Sequence, residues 1–157
     1  MTRTGFSRAL FLALFIPTLA PADELLPCKL DRGKMTSCSR IVACVTPPDM
    51  VFVGRGFGWN HGTITGKLDG VNCTGSWVGR NFLGVGEARM SCDNGMTGTV
   101  FFTWQDSLTG TATGRGLTNL GQAIRAWSGN NIKAYISRET GKPDARLMCG
   151  DQEIPIS

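Results

Sequence analysis

Three glycines frame the chain. Gly70, Gly95 and Gly121 each close a polar turn, in Leu68-Asp69-Gly70, Asp93-Asn94-Gly95 and Asn119-Leu120-Gly121, at spacings of 25 and 26 residues. Asp-Gly and Asn-Gly pairs accept the positive φ that tight hairpin turns require. Glycine also punctuates the segment before each turn, as Gly62-Thr-Ile-Thr-Gly66, Gly84-Val85-Gly86 and Gly114-Arg115-Gly116, and the segment after each ends in Trp77, Trp104 or Trp127. This reads as a degenerate internal repeat of about 25 residues, each unit being two short strands around a turn.

The segments on either side of the turns have strand chemistry. Val71–Trp77, Met96–Trp104 and Gln122–Trp127 are rich in Val, Ile, Phe, Thr and Trp, and the last alternates polar and apolar side chains. Gly62–Leu68, Gly84–Cys92 and Gly110–Thr118 supply their partners. Met50–Phe57 and Asn131–Ile136 read as two further strands, and Pro143–Cys149 as a short helix. The expected fold is all-β: an antiparallel meander of about eight strands, closed as a barrel or folded as a sandwich. Gly54-Arg55-Gly56-Phe57-Gly58 reads as a twisted strand entering the repeat. No helical stretch follows it and Lys67 is wrongly spaced for a phosphate loop.

The N-terminus has the order of an export signal. Arg3 and Arg8 precede the apolar run Ala9–Leu19, and Ala20-Pro21-Ala22 fits small-x-small cleavage. The run is too short for a membrane span, which needs about 20 apolar residues. The reading is a signal over 1–22 and a mature domain over 23–157. That domain is divided into an irregular cysteine-rich lead (23–48), a hairpin core (49–136) and a C-terminal tail (137–157) with no transmembrane segment. Lipidation at Cys28 is disfavoured because Pro27 holds the place of the small residue. The expected location is periplasmic or secreted. Two of the 16 bases fall in the signal and none of the 12 acids does, so the mature charge is +2 rather than +4. With no run of Lys or Arg, neither nucleic acid nor an anionic membrane is an expected partner.

Cys28, Cys38, Cys44, Cys73, Cys92 and Cys149 all lie in the mature part. An even count in an exported chain implies three disulfides. Zinc spacing is absent, since no C-x-x-C occurs and His61 is the only histidine, and nothing calls for a cofactor. A turn over Asn81-Phe82-Leu83-Gly84 would set Trp77 opposite Glu87 or Ala88, and Cys73 opposite Cys92, in reach of a disulfide. By elimination Cys28, Cys38, Cys44 and Cys149 form the other two bonds, one of them tying the tail to the lead.

Gly75-Ser76-Trp77, Gly84-Val85-Gly86 and Gly95 together resemble the hairpin rhythm of MORN repeats over about 65 residues, Gly62 to Trp127. The aromatic that opens a MORN unit is missing and the unit here is longer, so the resemblance implies hairpins and carries no activity. Cys92-Asp93-Asn94-Gly95-Met96-Thr97-Gly98 resembles an element of small exported bacterial proteins of unassigned function.

Candidate chemistry is sparse. His61 in Gly58-Trp59-Asn60-His61-Gly62 is a catalytic candidate only if an acid or hydroxyl approaches it; otherwise it belongs to a loop at the mouth of the first hairpin. Ser76 lacks the flanking glycine of a nucleophile elbow. Asp69, Asp93 and Asp106 are turn residues by type, and Glu87 falls within a strand. Asn72-Cys73-Thr74 matches a glycosylation sequon. Among the aromatics, Trp59 and Phe82 sit near expected loops and join His61 as ligand-binding candidates, while Trp77, Trp104 and Trp127 read as core. The expected function is a non-enzymatic binding or structural module of the cell envelope, its partner a protein or glycan. The alternative is a small secreted hydrolase built on His61.

Overall fold

The computed structural model describes residues 28–156. The expected signal over 1–22 and its cleavage site lie outside them. Eight strands close into an up-and-down antiparallel barrel: β1 (Cys38–Thr46), β2 (Met50–Trp59), β3 (His61–Leu68), β4 (Val71–Val78), β5 (Gly86–Cys92), β6 (Thr97–Asp106), β7 (Thr111–Thr118) and β8 (Ala123–Ser128). Strand β8 returns to β1, with Ile124 opposite Val45 and Ala126 opposite Ala43, so no edge is left unpaired. Helix α1 (Ile132–Thr140) and a hairpin of β9 (Leu147–Cys149) and β10 (Gln152–Ile154) follow.

The turns sit where the glycines placed them. Gly70, Gly95 and Gly121 have φ of 86°, 82° and 78°. At the other end of the barrel, Gly84 N donates to Asn81 O at 2.9 Å, forming the tight turn within the β4–β5 loop. The resulting register puts Trp77 opposite Ala88 and Cys73 opposite Cys92. Cys73–Cys92, Cys28–Cys38 and Cys44–Cys149 are the three disulfides. The last ties the C-terminal hairpin to the barrel wall.

Alternation along the strands builds two cores. Inward residues, among them Ile41, Phe52, Ile64, Leu68, Val100 and Ile124, fill the barrel. A second cluster forms outside, where Val42, Val51 and Trp127 of the wall meet Ile132 and Ile136 of α1 and Leu147 and Ile154 of the hairpin. Elsewhere the outer wall is mostly polar, with Thr63, Thr65, Lys67, Thr74, Ser76 and Arg115 exposed and Val78, Phe101 and Leu117 as apolar exceptions. This is the reverse of a lipid-facing barrel, which turns its apolar side chains outward. Among the described residues no helix is long and apolar enough to cross a membrane.

Three expectations are corrected. The lead over 23–48 is not irregular throughout, because Cys38–Thr46 (CSRIVACVT) is the most buried strand of the wall; its β-branched residues outweigh the flanking cysteines and prolines. Asn131–Ile136 is not a strand but the start of α1. Ile132, Tyr135 and Ile136 make a helical stripe against the barrel, and Gly141, at φ 67°, stops the helix in the left-handed conformation. Pro143–Cys149 is not a helix: its last three residues pair as β9, held by the Cys149 disulfide. The barrel therefore spans 38–128 rather than 49–136.

Candidate functional site

The two ends of the barrel differ. One carries the short turns 47–49, 69–70, 93–96 and 119–122. The other carries the Asn60 turn, the longer loops 79–85 and 107–110, and the N-terminal segment 28–37. A cavity of about 200 Å³ opens inside the barrel at this second end, lined mainly by carbon. Trp59, Trp77 and Phe102 provide its aromatic walls, Ser39 and Ser128 its hydroxyls.

The cavity exists because the inward positions at this end are small. Gly56, Gly58, Gly86 and Ala112 face it. Trp77 lies over Gly56, its Nε1 donating to Phe57 O at 3.1 Å, which satisfies the indole and fixes the ring against the wall. A second device is a bulge in β6 between Phe102 and Trp104. The extra residue, Thr103, reverses the alternation beyond it, as bulges do. Trp104 thereby leaves the interior and packs on Tyr135 of α1, ring centroids 4.6 Å apart, with Arg138 over both rings. Gln105 turns inward instead and donates from Nε2 to Gly79 O at 3.2 Å.

The N-terminal segment reaches over the opening. Leu30 lines the cavity. The Cys28–Cys38 bond, the donation from Cys38 N to Lys29 O at 2.9 Å and that from Arg32 Nη2 to Leu108 O at 3.1 Å hold the segment there.

The rim carboxylates are engaged by neighbours. Glu87, a residue almost fully covered, accepts from Asn81 Nδ2 at 2.9 Å and from Arg89 Nε. These hydrogen bonds, Asn81 first, hold its carboxyl below the ordinary value. Asp106 is held down by the Thr109 hydroxyl and then the Leu108 N–H, and Asp31 chiefly by its hydrogen bond to Lys34. Glu87 and Asp106 are among the residues lining the cavity, but their carboxylates are already taken up by Asn81, Arg89, Thr109 and Leu108 N, so the space suits a neutral molecule.

Of the sequence candidates, Trp59 lines the rim. His61 opens β3 opposite Trp59 and is exposed; its imidazole makes no hydrogen bond or ion pair among the described residues. Phe82 projects from the β4–β5 loop, 92% exposed. These three share one end of the barrel but not one pocket. Asp69 and Asp93 lie at the opposite end. Trp127 is core, as expected, but outer core. Trp77 and Phe102 were missed as site residues; the only available signal was the phase of Trp77, two and four residues from Gly75 and Cys73 on an inward-facing strand. Cys44, Asp49 and Cys149 cluster within 4.8 Å, yet both sulfurs belong to one disulfide and offer no thiolate to a metal.

No family model matches the chain, and no curated protein matches it. Among solved structures, a redesigned β-barrel, mFAP0, bound to DFHBI, is similar in fold at 11% identity and a TM-score of 0.47, covering 60% of this chain and 97% of its own.

Proposed function

We propose that the chain is exported, with cleavage after Ala22, and that the mature domain is a non-enzymatic binding module. It holds a small, neutral, mostly apolar molecule in the open end of its barrel, in the periplasm or outside the cell. The cavity carries this reading. A buried space of about 150 Å³ is enough to hold benzene, so about 200 Å³ suits a ligand of one ring with a short substituent. The hydroxyls of Ser39 and Ser128 would meet a single polar group on it. Three disulfides are consistent with an oxidising compartment and support export. An envelope protein or glycan is too large for the cavity. The hydrolase alternative needs a partner for His61, and none is bonded to it among the described residues.

Benzyl alcohol is a fitting probe, followed by saturation-transfer NMR. Ala112→Leu adds an isobutyl group at a cavity-lining position. The expected result is binding by the wild type, a loss of about tenfold or more in the variant, and no effect of His61→Ala. Equal binding by wild type and Ala112→Leu would remove the cavity from the function.

A further inference from the structure

We infer that the open end of the barrel docks onto an anionic lipid surface, and that the cavity exchanges its ligand there. The inference rests on the cavity reading for the ligand, but the docking itself rests on other residues.

The two loops flanking the opening end in large apolar side chains that nothing covers. Phe82 is 92% exposed and Leu83 66% in the β4–β5 loop; Leu108 is 66% exposed in the β6–β7 loop. The bases of the same loops, Gly79 and Ser107, line the cavity, so the apolar tips stand on two sides of one mouth. They protrude from separate loops and form no groove for a peptide strand or helix. Side chains of this kind enter the boundary between headgroups and acyl chains. At the opposite end the highly exposed large apolar residues are Leu120 in its turn and Leu117 on the adjoining end of β7, both on one hairpin, whereas the mouth carries three on two loops.

Charge is arranged in the same sense. Lys29, Arg32 and Lys34 on the N-terminal segment and Arg80 in the β4–β5 loop are exposed at the mouth. Two of the acids there are offset by ion pairs, Asp31 by Lys34 at 2.7 Å and Glu87 by Arg89, which leaves Lys29, Arg32 and Arg80 against Asp106. The opposite end exposes Asp49, Asp69 and Asp93 in its turns, with Lys67 near the end of β3 as a base beside them. The axis of the barrel thus runs from basic to acidic, which would turn the mouth toward a negative surface. An apolar ligand would then leave the bilayer beside the cavity without crossing water.

The experiment is sedimentation of the exported, disulfide-intact protein with vesicles. One set is phosphatidylcholine alone and the other contains about one third phosphatidylglycerol, which supplies the negative surface. Binding is expected to the anionic set only and to weaken with salt. The double variant Phe82→Ser, Leu83→Ser should lose about tenfold in partitioning, as should Arg80→Glu, while Leu120→Ser should match the wild type. Benzyl alcohol binding in solution should be unchanged in all three. Failure to bind anionic vesicles, binding unaffected by the rim variants, or equal binding to neutral vesicles would overturn the docking. A protein crosslinked at Phe82 in place of vesicle binding would overturn it as well. The solution probe reports separately on the cavity, so loss of docking with retained probe binding leaves the ligand reading standing.

Discussion

The two ends of the barrel share one wall and differ in what fills it. At the short-turn end, Phe52, Leu68, Met90, Met96 and Ile124 meet around Cys73–Cys92, and only about 50 Å³ is left open. At the loop end, glycine, alanine and serine replace the bulky residues and about 200 Å³ is open. An eight-stranded barrel is just wide enough for side chains to fill, so side-chain volume decides between plug and cavity. Glycine lets side chains close on the wall at both ends. A Cβ on Gly54 or Gly66 would come within 2.6 or 2.5 Å of Phe52 Cζ, so these glycines admit the ring that plugs the barrel. At the mouth, a Cβ on Gly56 would come within 3.1 Å of Ile41 Cδ1 and 3.5 Å of Trp77 Nε1, and one on Gly86 within 3.1 Å of Phe102 Cβ and against the Gln105 amide, so these glycines admit the side chains that wall the cavity.

The comparison can be tested by emptying the plug. Phe52 is 1% exposed and packs on both glycines. Phe52→Ala should destabilise the fold by about 4 kcal/mol, the usual cost of deleting a buried ring with little collapse around it. Urea denaturation measures it. A loss below about 1 kcal/mol would mean the short-turn end is not a packed core.

Filling each end in turn gives a smaller and sharper contrast. Ala126 is 3% exposed and lies in the plugged half; Ala112 lines the cavity. Ala126→Leu should cost about 2 kcal/mol through overpacking, and Ala112→Leu less than about 1 kcal/mol, because its new methyl groups meet open space. Similar denaturation midpoints for the two variants would erase the distinction between the ends.

The wall of the barrel was legible because its turns are chemically marked. Asp69-Gly70 and Asn94-Gly95 announce positive φ, and Asn81 to Gly84 sets a register that brings Cys73 to Cys92. Strand β1 is hidden in the sequence because cysteine and Pro47-Pro48 suggest a loop, whereas its burial depends on pairing with β2 on one side and β8 on the other. Helix α1 was read as a strand because six residues of mixed character fit either period; Gly141 and Pro143, a helix stop followed by a proline, were the neglected signal. The cavity was the least legible feature. It depends on a bulge at Thr103 that no residue type marks, and on knowing which face of each strand the glycines share. The loops around Trp59, His61 and Phe82 mark the end of the barrel where these candidates lie, while Trp77, an aromatic wall of the cavity, reads in sequence as core.

Acid gives the smallest effect, and it acts at the mouth. Glu87, Asp106 and Asp31 all lie at the loop end, and hydrogen bonds to their charged forms hold each carboxyl below its ordinary value, 4.5 for Glu87 and 3.8 for the two aspartates. A carboxyl depressed by folding adds stability that is fully present above its unfolded value and is lost as pH falls through its folded value. Loosening should therefore begin as pH drops below about 4.5, with the Asn81-Glu87-Arg89 contacts that shape the β4–β5 loop. Arg89 is exposed, so solvent and salt screen its share. Glu87→Gln removes the charge and with it this source of pH dependence. The wild type should hold an advantage in denaturation midpoint at neutral pH, and that advantage should shrink as the pH is lowered toward about 3. A wild-type advantage that stays constant over this range would mean that Glu87 supports the loop by shape alone, and that the mouth has no acid sensitivity of its own.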